Sequence, residues 1–106
     1  MNADINNLLK ELKSGLQSLY GSRLQGVYLY GSCARGDANR ESDVDILVVL
    51  DIIPSYSAEV DRTSTLVATL ALKNAVSISR VFVTLLNWQQ GQTPFLLNAR
   101  EEAVAA

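Results

Sequence analysis

Two aspartates at the start of an apolar run are the residues of this sequence best suited to chemistry. Asp43 and Asp45 flank Val44, and the residues that follow, up to Ile53, are mostly β-branched or leucine. Because side chains alternate along a strand, both carboxylates project from one face, with Cα atoms roughly 6.5–7 Å apart, and Val44 points into the core. Like charges this close repel each other unless a cation joins them. The pair therefore predicts a divalent-metal site of the kind that holds catalytic Mg²⁺.

A turn of small and polar residues precedes this pair in the chain. Gly31 and Ser32 end a short apolar and aromatic run, where glycine lets the backbone approach a ligand closely. Exposed N–H groups and the Ser32 hydroxyl can hold phosphate oxygens, and Arg35 can add a charge-assisted contact. An isolated Gly-Ser or Asp-x-Asp is more often an ordinary solvated turn. The two together, each beside a predicted strand, indicate a site for a nucleoside triphosphate and a divalent metal.

The composition excludes several other chemistries. The chain of 106 residues has no histidine and one cysteine, so histidine catalysis and thiolate zinc sites are ruled out. Metal ligation must then use carboxylates, which favour hard cations such as Mg²⁺. The net charge of -2 indicates no basic surface for direct nucleic-acid binding. No segment is typical of a membrane span or a signal peptide, so we expect a cytoplasmic protein with no membrane association.

The elements that must position these residues can be predicted from periodicity. The length and composition indicate a single domain over residues 1–106. The order of predicted helices and strands indicates an α/β domain with one sheet packed by helices. The predicted elements are a helix over 4–20, strands over 24–30 and 44–53, a helix over 57–72, a strand over 76–86 and a final helix that begins at Thr93-Pro94. Tyr20, Tyr28, Tyr30 and Trp88 are assigned to packing rather than to base stacking.

The spacing of these motifs resembles a known signature. Gly31-Ser32, ten intervening residues and then Asp43-x-Asp45 are similar to the signature of the DNA polymerase β-like nucleotidyltransferase superfamily. Ala34-Arg35-Gly36 and Ser42 lie between the two motifs, as in that signature. The short chain and its segment Ser-Asp-Val-Asp-Ile-Leu-Val (residues 42–48) resemble those of the minimal nucleotidyltransferase branch of this superfamily. The resemblance implies the polymerase β-like fold, with a single small mixed sheet packed by helices.

The resemblance also implies roles for individual residues. Gly31 and Ser32 would hold the triphosphate of ATP, supported by Arg35 and Ser42. Asp43 and Asp45 would be the catalytic residues and the Mg²⁺ ligands. The family usually supplies a third carboxylate from a later strand, but residues 76–86 contain no Asp or Glu. Ser77 or Ser79 is the candidate for that place, and loss of a positioned base typically costs about 10²–10⁴-fold in rate.

Two functions follow from the resemblance. In the first, the chain is an adenylyltransferase that moves AMP from Mg-ATP to a hydroxyl on a protein partner. Minimal members of the family resemble the antitoxin of HEPN/MNT toxin–antitoxin pairs, whose other half is a helical HEPN ribonuclease. In the second, the chain is a catalytically weakened module that neutralises or regulates a helical partner by binding alone. Homo-oligomerisation is left open by the sequence.

Overall fold

A computed structural model describes residues 3–31 and 43–106 of the chain, without the side chains of residues 3 and 4. Its helices and strands alternate along most of the described chain. In chain order the elements are α1 (Ala3–Tyr20), a 3-10 turn (Gly21–Arg23), β1 (Leu24–Tyr30), β2 (Val44–Leu50), α2 (Tyr56–Asn74), β3 (Ile78–Thr84), α3 (Leu85–Gln90), α4 (Pro94–Glu102) and β4 (Val104–Ala105).

The strands form one mixed sheet in the order β3-β2-β1-β4. β2 is antiparallel to β1 and parallel to β3, while β4 adds two residues antiparallel to β1. The amino ends of β2 and β3 therefore lie beside the carboxyl end of β1. This confirms the predicted α/β class with a mixed sheet packed by helices. It also places Gly31, directly after β1, and Asp43, directly before β2, at the same edge of the sheet.

The central strand β2 is covered on both faces, as its apolar sequence predicts. Val44, Ile46, Val48 and Leu50 belong to a core with α1 and α2, whose other main contributors are Leu8, Leu12, Leu16, Val27, Leu29, Leu70 and Phe82. Leu47 and Val49 belong to a second core with Ala99 of α4, against which Tyr28, Tyr30, Val83, Leu85 and Trp88 pack. The assignment of Tyr28, Tyr30 and Trp88 to packing is thereby confirmed.

The structure differs from several predicted boundaries, and three of the differences follow from identified hydrogen bonds or strand pairing. β2 ends at Leu50, and directly after it the Asp51 carboxylate accepts from the Ile52 amide at 2.7 Å and from Arg23 Nε at 3.2 Å. β3 ends at Thr84, because the Thr84 hydroxyl accepts from the Asn87 amide and starts the short helix α3. Val104, predicted in the last helix, lies instead in the edge strand β4. In each case a local hydrogen bond or sheet pairing overrides the apolar pattern.

The start of α4 agrees with its prediction. The Thr93 hydroxyl accepts a hydrogen bond from the Leu96 amide at 3.3 Å, and Pro94 occupies the first helical position. We expect Thr93→Ala to lower the free energy of unfolding by about 1 kcal/mol, because an amide of the first turn loses its acceptor. Urea unfolding measures this change. Thr93→Ser keeps the acceptor and should stay near the wild-type value; an equal loss in both variants would contradict the role of the cap.

None of the helices in residues 3–31 and 43–106 is both long and apolar enough to cross a lipid bilayer.

Candidate active site

Asp45 is the charged residue of the otherwise apolar strand β2. The other six residues of this strand are fully buried, whereas Asp45 is half-buried. Val44 and Ile46, on either side of it, are each 1% exposed and point into the core with α1 and α2. The carboxylate of Asp45 therefore emerges on the opposite face of the sheet, as the alternation predicts. A rigid, central strand holds it in place.

Asp43 lies immediately before β2 and is exposed. The amide of Val44, between the two aspartates, donates to the carbonyl of Ser77 at 2.8 Å, which anchors this end of β2 to the chain entering β3. Burial and then the charge of Asp43 raise the pKa of Asp45. A carboxylate that is costly to ionise because it is desolvated and beside a second carboxylate is suited to a cation. The donor pair therefore fits a divalent metal of the hard, oxygen-preferring type.

Gly31 lies directly against the Asp45 carboxylate. Its φ is +78°, in the left-handed region that L side chains rarely adopt, and a Cβ built at this position would stand 2.6 Å from Asp45 Oδ2. Tyr30, the residue before it, is the register partner of Asp45 across β1 and β2. The turn that leaves β1 and the carboxylate of β2 are thus in contact. Only glycine satisfies both the backbone angle and the close approach.

We expect Gly31→Ala to lower the rate of catalysis at this site by about 10²-fold, since the added methyl group must displace the Asp45 carboxylate. The positive φ should also cost about 1–2 kcal/mol of folding stability. Gly21 provides a matched control, because its φ is +56° and a Cβ added there would meet no other atom within 4 Å. Gly21→Ala should show the stability loss without the rate loss. Equal activities of the two variants would contradict the proposed contact.

Three of the predicted site residues lie outside the described residues. These are Ser32, Arg35 and Ser42, and their assignment to the nucleotide stays a prediction. Of the described candidates, the structure brings together Gly31, Asp43 and Asp45 at the edge where β1 ends and β2 begins. Within residues 3–31 and 43–106, no group of three or more Asp, Glu, Cys or His side chains could hold a metal.

The position beside Asp45 on the neighbouring strand belongs to Ser79. Its Cα is the register partner of Asp45 in the parallel pair of β2 and β3, and its side chain is exposed. Register partners project from the same face of a sheet, with adjacent strands about 4.8 Å apart. Of the two serines named from the sequence, Ser79 therefore lies on the face of Asp45, whereas Ser77 precedes β3. The hydroxyl of Ser79 therefore occupies the position from which a third carboxylate could have faced Asp43 and Asp45.

An aromatic pair next to the site was missed by sequence reasoning. The ring of Phe95, at the start of α4, meets the ring of Tyr30 edge-on, with centroids 5.7 Å apart and planes at 82°. Phe95 is 40% exposed, although the residue after it, Leu96, is buried. Burial and the nearby charge of Asp45 raise the pKa of Tyr30. An aromatic residue directly after a helix-starting proline offered no sequence signal for this position.

Fold and site together define an α/β domain with a carboxylate pair suited to a divalent cation at one sheet edge and a glycine turn against it. The chain belongs to the nucleotidyltransferase domain family, whose sequence profile matches residues 9–82. It is accordingly a nucleotidyltransferase, and the matched segment contains Gly31, Asp43, Asp45 and Ser79.

Named proteins that are similar in sequence show which members of the family this chain resembles. The chain is 39% identical to the protein adenylyltransferase MntA of Thermococcus cleftensis over 70 residues, which cover 66% of this chain and 69% of the relative. It is 34% identical over 80 residues to MJ0604 of Methanocaldococcus jannaschii, named provisionally as a protein adenylyltransferase, covering 76% of this chain and 80% of the relative. Protein adenylyltransferases are therefore among its similar proteins.

Solved structures share the fold. A crystal structure described as a toxin–antitoxin with AMP-PNP has a chain that superposes with a TM-score of 0.63 at 21% identity, covering 98% of this chain and 72% of that one. A nucleotidyltransferase-like protein from Sulfolobus solfataricus superposes with a TM-score of 0.59 at 19% identity, covering 99% of this chain and 86% of that one. These likenesses support the polymerase β-like nucleotidyltransferase fold predicted from the sequence.

Proposed function

We propose that this chain transfers the AMP group of Mg-ATP to a hydroxyl on a helical HEPN-type protein partner, as the antitoxin of a toxin–antitoxin pair. The observation that carries this proposal is the contact of Gly31 with the Asp45 carboxylate, with Asp43 two residues before it. This contact places the Gly31 turn, which is suited to binding phosphates, beside the Asp43 and Asp45 carboxylates, which are suited to binding a cation. Transfer of AMP would form a bond from the acceptor oxygen to the α-phosphorus and release pyrophosphate.

Each residue has a defined task in this proposal. Asp43 and Asp45 would ligate Mg²⁺, which when bound supplies Lewis-acid stabilisation of the charge on the phosphates. The backbone at Gly31 would approach the triphosphate, and Ser32, Arg35 and Ser42 would contact its oxygens. The rigid strand β2 holds the carboxylates before substrate arrives, so little reorganisation is needed at reaction.

The protein acceptor is supported by the names of similar proteins. Two similar proteins carry protein adenylyltransferase in their names, and a chain of the same fold is described as part of a toxin–antitoxin. We propose that residues 1–106 form a single minimal nucleotidyltransferase domain and that the acceptor hydroxyl is presented by the partner. A cytoplasmic location and the absence of membrane or direct nucleic-acid binding remain parts of this proposal.

Label transfer tests the activity. The purified chain is incubated with Mg²⁺, ATP labelled at the α-phosphate and the helical protein encoded beside its gene. We expect label on the partner, none with ATP labelled at the γ-phosphate, and none with Asp43→Asn. The γ-label control separates nucleotidyl transfer from phosphoryl transfer. Transfer of the γ-label would contradict the proposed reaction.

A second function is favoured by one observation. Ser79 faces Asp45 where a third carboxylate could stand, and β3 contains no acidic residue. This arrangement favours a module that neutralises its partner by contact, with turnover weakened or lost. Size-exclusion chromatography of the mixed proteins distinguishes the two functions. A tight complex that forms equally with Asp43→Asn, without label transfer by the wild-type chain, would establish binding alone.

A further inference from the structure

The exposed ring of Phe95 is separated from the carboxylate pair by a single side chain. Tyr30 and Asp45 are register partners on adjacent antiparallel strands, which places their Cα atoms roughly 4.5–5.5 Å apart and their side chains on one face. The Phe95 ring in turn contacts the Tyr30 ring at a centroid distance of 5.7 Å. Tyr30 therefore lies between Asp45, its neighbour on β2, and Phe95, whose ring it contacts. All three residues are on the second face of the sheet, next to the carboxylate pair Asp43 and Asp45.

The pair of rings is held rigidly, while one ring stays open to solvent. Tyr30 packs against the second core, of which Leu47, Val49 and Ala99 are the buried members. Phe95 is fixed by the α4 start, where the Thr93 cap and Pro94 set the direction of the helix. Phe95 is 40% exposed, so part of this residue is open to solvent. A preorganised ring of this kind can accept a flat ligand without losing much side-chain freedom.

We propose that Phe95, braced by Tyr30, stacks against the nucleobase of the donor nucleotide. The inference rests on the proposed function and deepens it by naming a residue that binds the base. With the triphosphate held at Gly31 and the carboxylate pair, the nucleoside must extend away from these charged groups. Phe95 presents an exposed aromatic surface on this side, at the start of α4. Stacking on one ring recognises a base by its flat face, so it is tolerant of base identity.

Binding measured with and without a base tests this proposal. Isothermal titration calorimetry with Mg²⁺ compares a non-hydrolysable ATP analogue with inorganic tripolyphosphate, which has the phosphates but no base. Phe95→Leu should weaken binding of the analogue about tenfold, the loss expected for one stacked base. Affinity for tripolyphosphate should be unchanged. Phe95→Trp, unlike Phe95→Leu, should bind the analogue about as tightly as the wild type, because tryptophan also supplies a flat ring.

A variant on the same helix controls for indirect effects. Leu97 is similarly exposed, at 43%, and belongs to α4. Leu97→Ala should leave both affinities unchanged. Suppose that the wild-type chain binds both the ATP analogue and tripolyphosphate. If Phe95→Leu then leaves both affinities unchanged, or lowers both by the same factor, the stacking proposal is overturned while the proposed function stands. If the wild-type chain binds neither ligand, the proposed function itself fails. If Phe95→Leu keeps analogue affinity but slows label transfer, the ring serves the acceptor and not the base.

Discussion

Replacing Asp45 by asparagine is expected to reduce nucleotidyl transfer by about 10³-fold, a functional effect of the same order as that expected of Asp43→Asn. Asparagine has the shape of aspartate but no charge, so a cation held by Asp43 and Asp45, as we propose, would lose one of its two carboxylate ligands. The loss of several kcal/mol of transition-state stabilisation corresponds to that factor. Because Asp45 is half-buried, few water molecules can compensate for the missing charge. The rate of α-label transfer to the partner measures the effect.

The same substitution should not harm folding. Burial and the charge of Asp43 raise the pKa of Asp45, so its ionised form is unfavourable in the folded chain without a cation. The Tm of Asp45→Asn in a chelating buffer should therefore equal or exceed the wild-type Tm. Added Mg²⁺ should raise the Tm of the wild type by ligand linkage and have little effect on the variant. Asp61→Asn, at an exposed position of α2, should keep both the activity and the Mg²⁺ response.

The largest expected effect on stability belongs to Glu59, a carboxylate that is only 2% exposed. Its oxygens accept from the Tyr20 hydroxyl at 2.8 Å, from Arg23 Nη2 at 3.2 Å and from Arg62 Nε at 3.2 Å. These donors come from α1, the following 3-10 turn and α2, so Glu59 ties three segments together. Burial disfavours its charge, but the three hydrogen bonds outweigh burial and lower the pKa of Glu59.

We expect Glu59→Gln to lower the free energy of unfolding by about 3 kcal/mol, because the neutral amide loses the charge-assisted hydrogen bonds from Arg23 and Arg62 at a buried position. For a domain of this size the Tm should fall by about 10–20 °C. Glu11→Gln is the matched control: Glu11 pairs with Lys73 at 2.6 Å on the surface, where both side chains are largely solvated. Such exposed pairs contribute roughly 0–1 kcal/mol. Similar losses in the two variants would contradict a dominant role for the buried network.

The pH dependence of stability offers an independent test of the same network. A lowered pKa of Glu59 stabilises the fold above the ordinary value of 4.5, and this contribution is lost as the pH falls through the folded value. Burial and the hydrogen bond to Glu59 raise the pKa of Tyr20 from 10.0 to about 12. That contribution is complete below pH 10.0 and is lost as the pH rises toward 12. Between these pH limits the Tm of the wild type should not change with pH. In Glu59→Gln the fall in Tm at acid pH should be smaller than in the wild type.

Local patterns predicted much of this fold correctly. Residues 24–30 form β1 as expected, and β2 begins at Val44 with its side chains alternating between the two faces. Thr93-Pro94 starts α4 as its cap chemistry indicates. These features depend on neighbouring residues, on turn chemistry and on the two-residue period of a strand, which are readable without knowledge of distant contacts.

Other features depend on residues far apart in the chain and could not be read from it. A glutamate such as Glu59 in an amphipathic helix is typical of a solvated position, but the convergence of Tyr20 and Arg23 from another segment allows it to be buried. The helix α3 was missed because the apolar run through Leu86 concealed the cap provided by Thr84. Charge burial and helix starts inside apolar runs are decided by tertiary partners, not by periodicity.

By itself, the sequence determined that the chain has no histidine and a single cysteine for metal ligation, that Asp43 and Asp45 flank the first residue of β2, and that a glycine turn and an arginine-bearing segment precede them. The physical reasons are residue chemistry and strand alternation, which are properties of the local chain. Tertiary structure alone decided that Gly31 contacts Asp45, that Ser79 faces Asp45 from β3, and that Phe95 meets Tyr30. Each of these contacts depends on strand register or helix packing, since it joins segments that are separated in sequence.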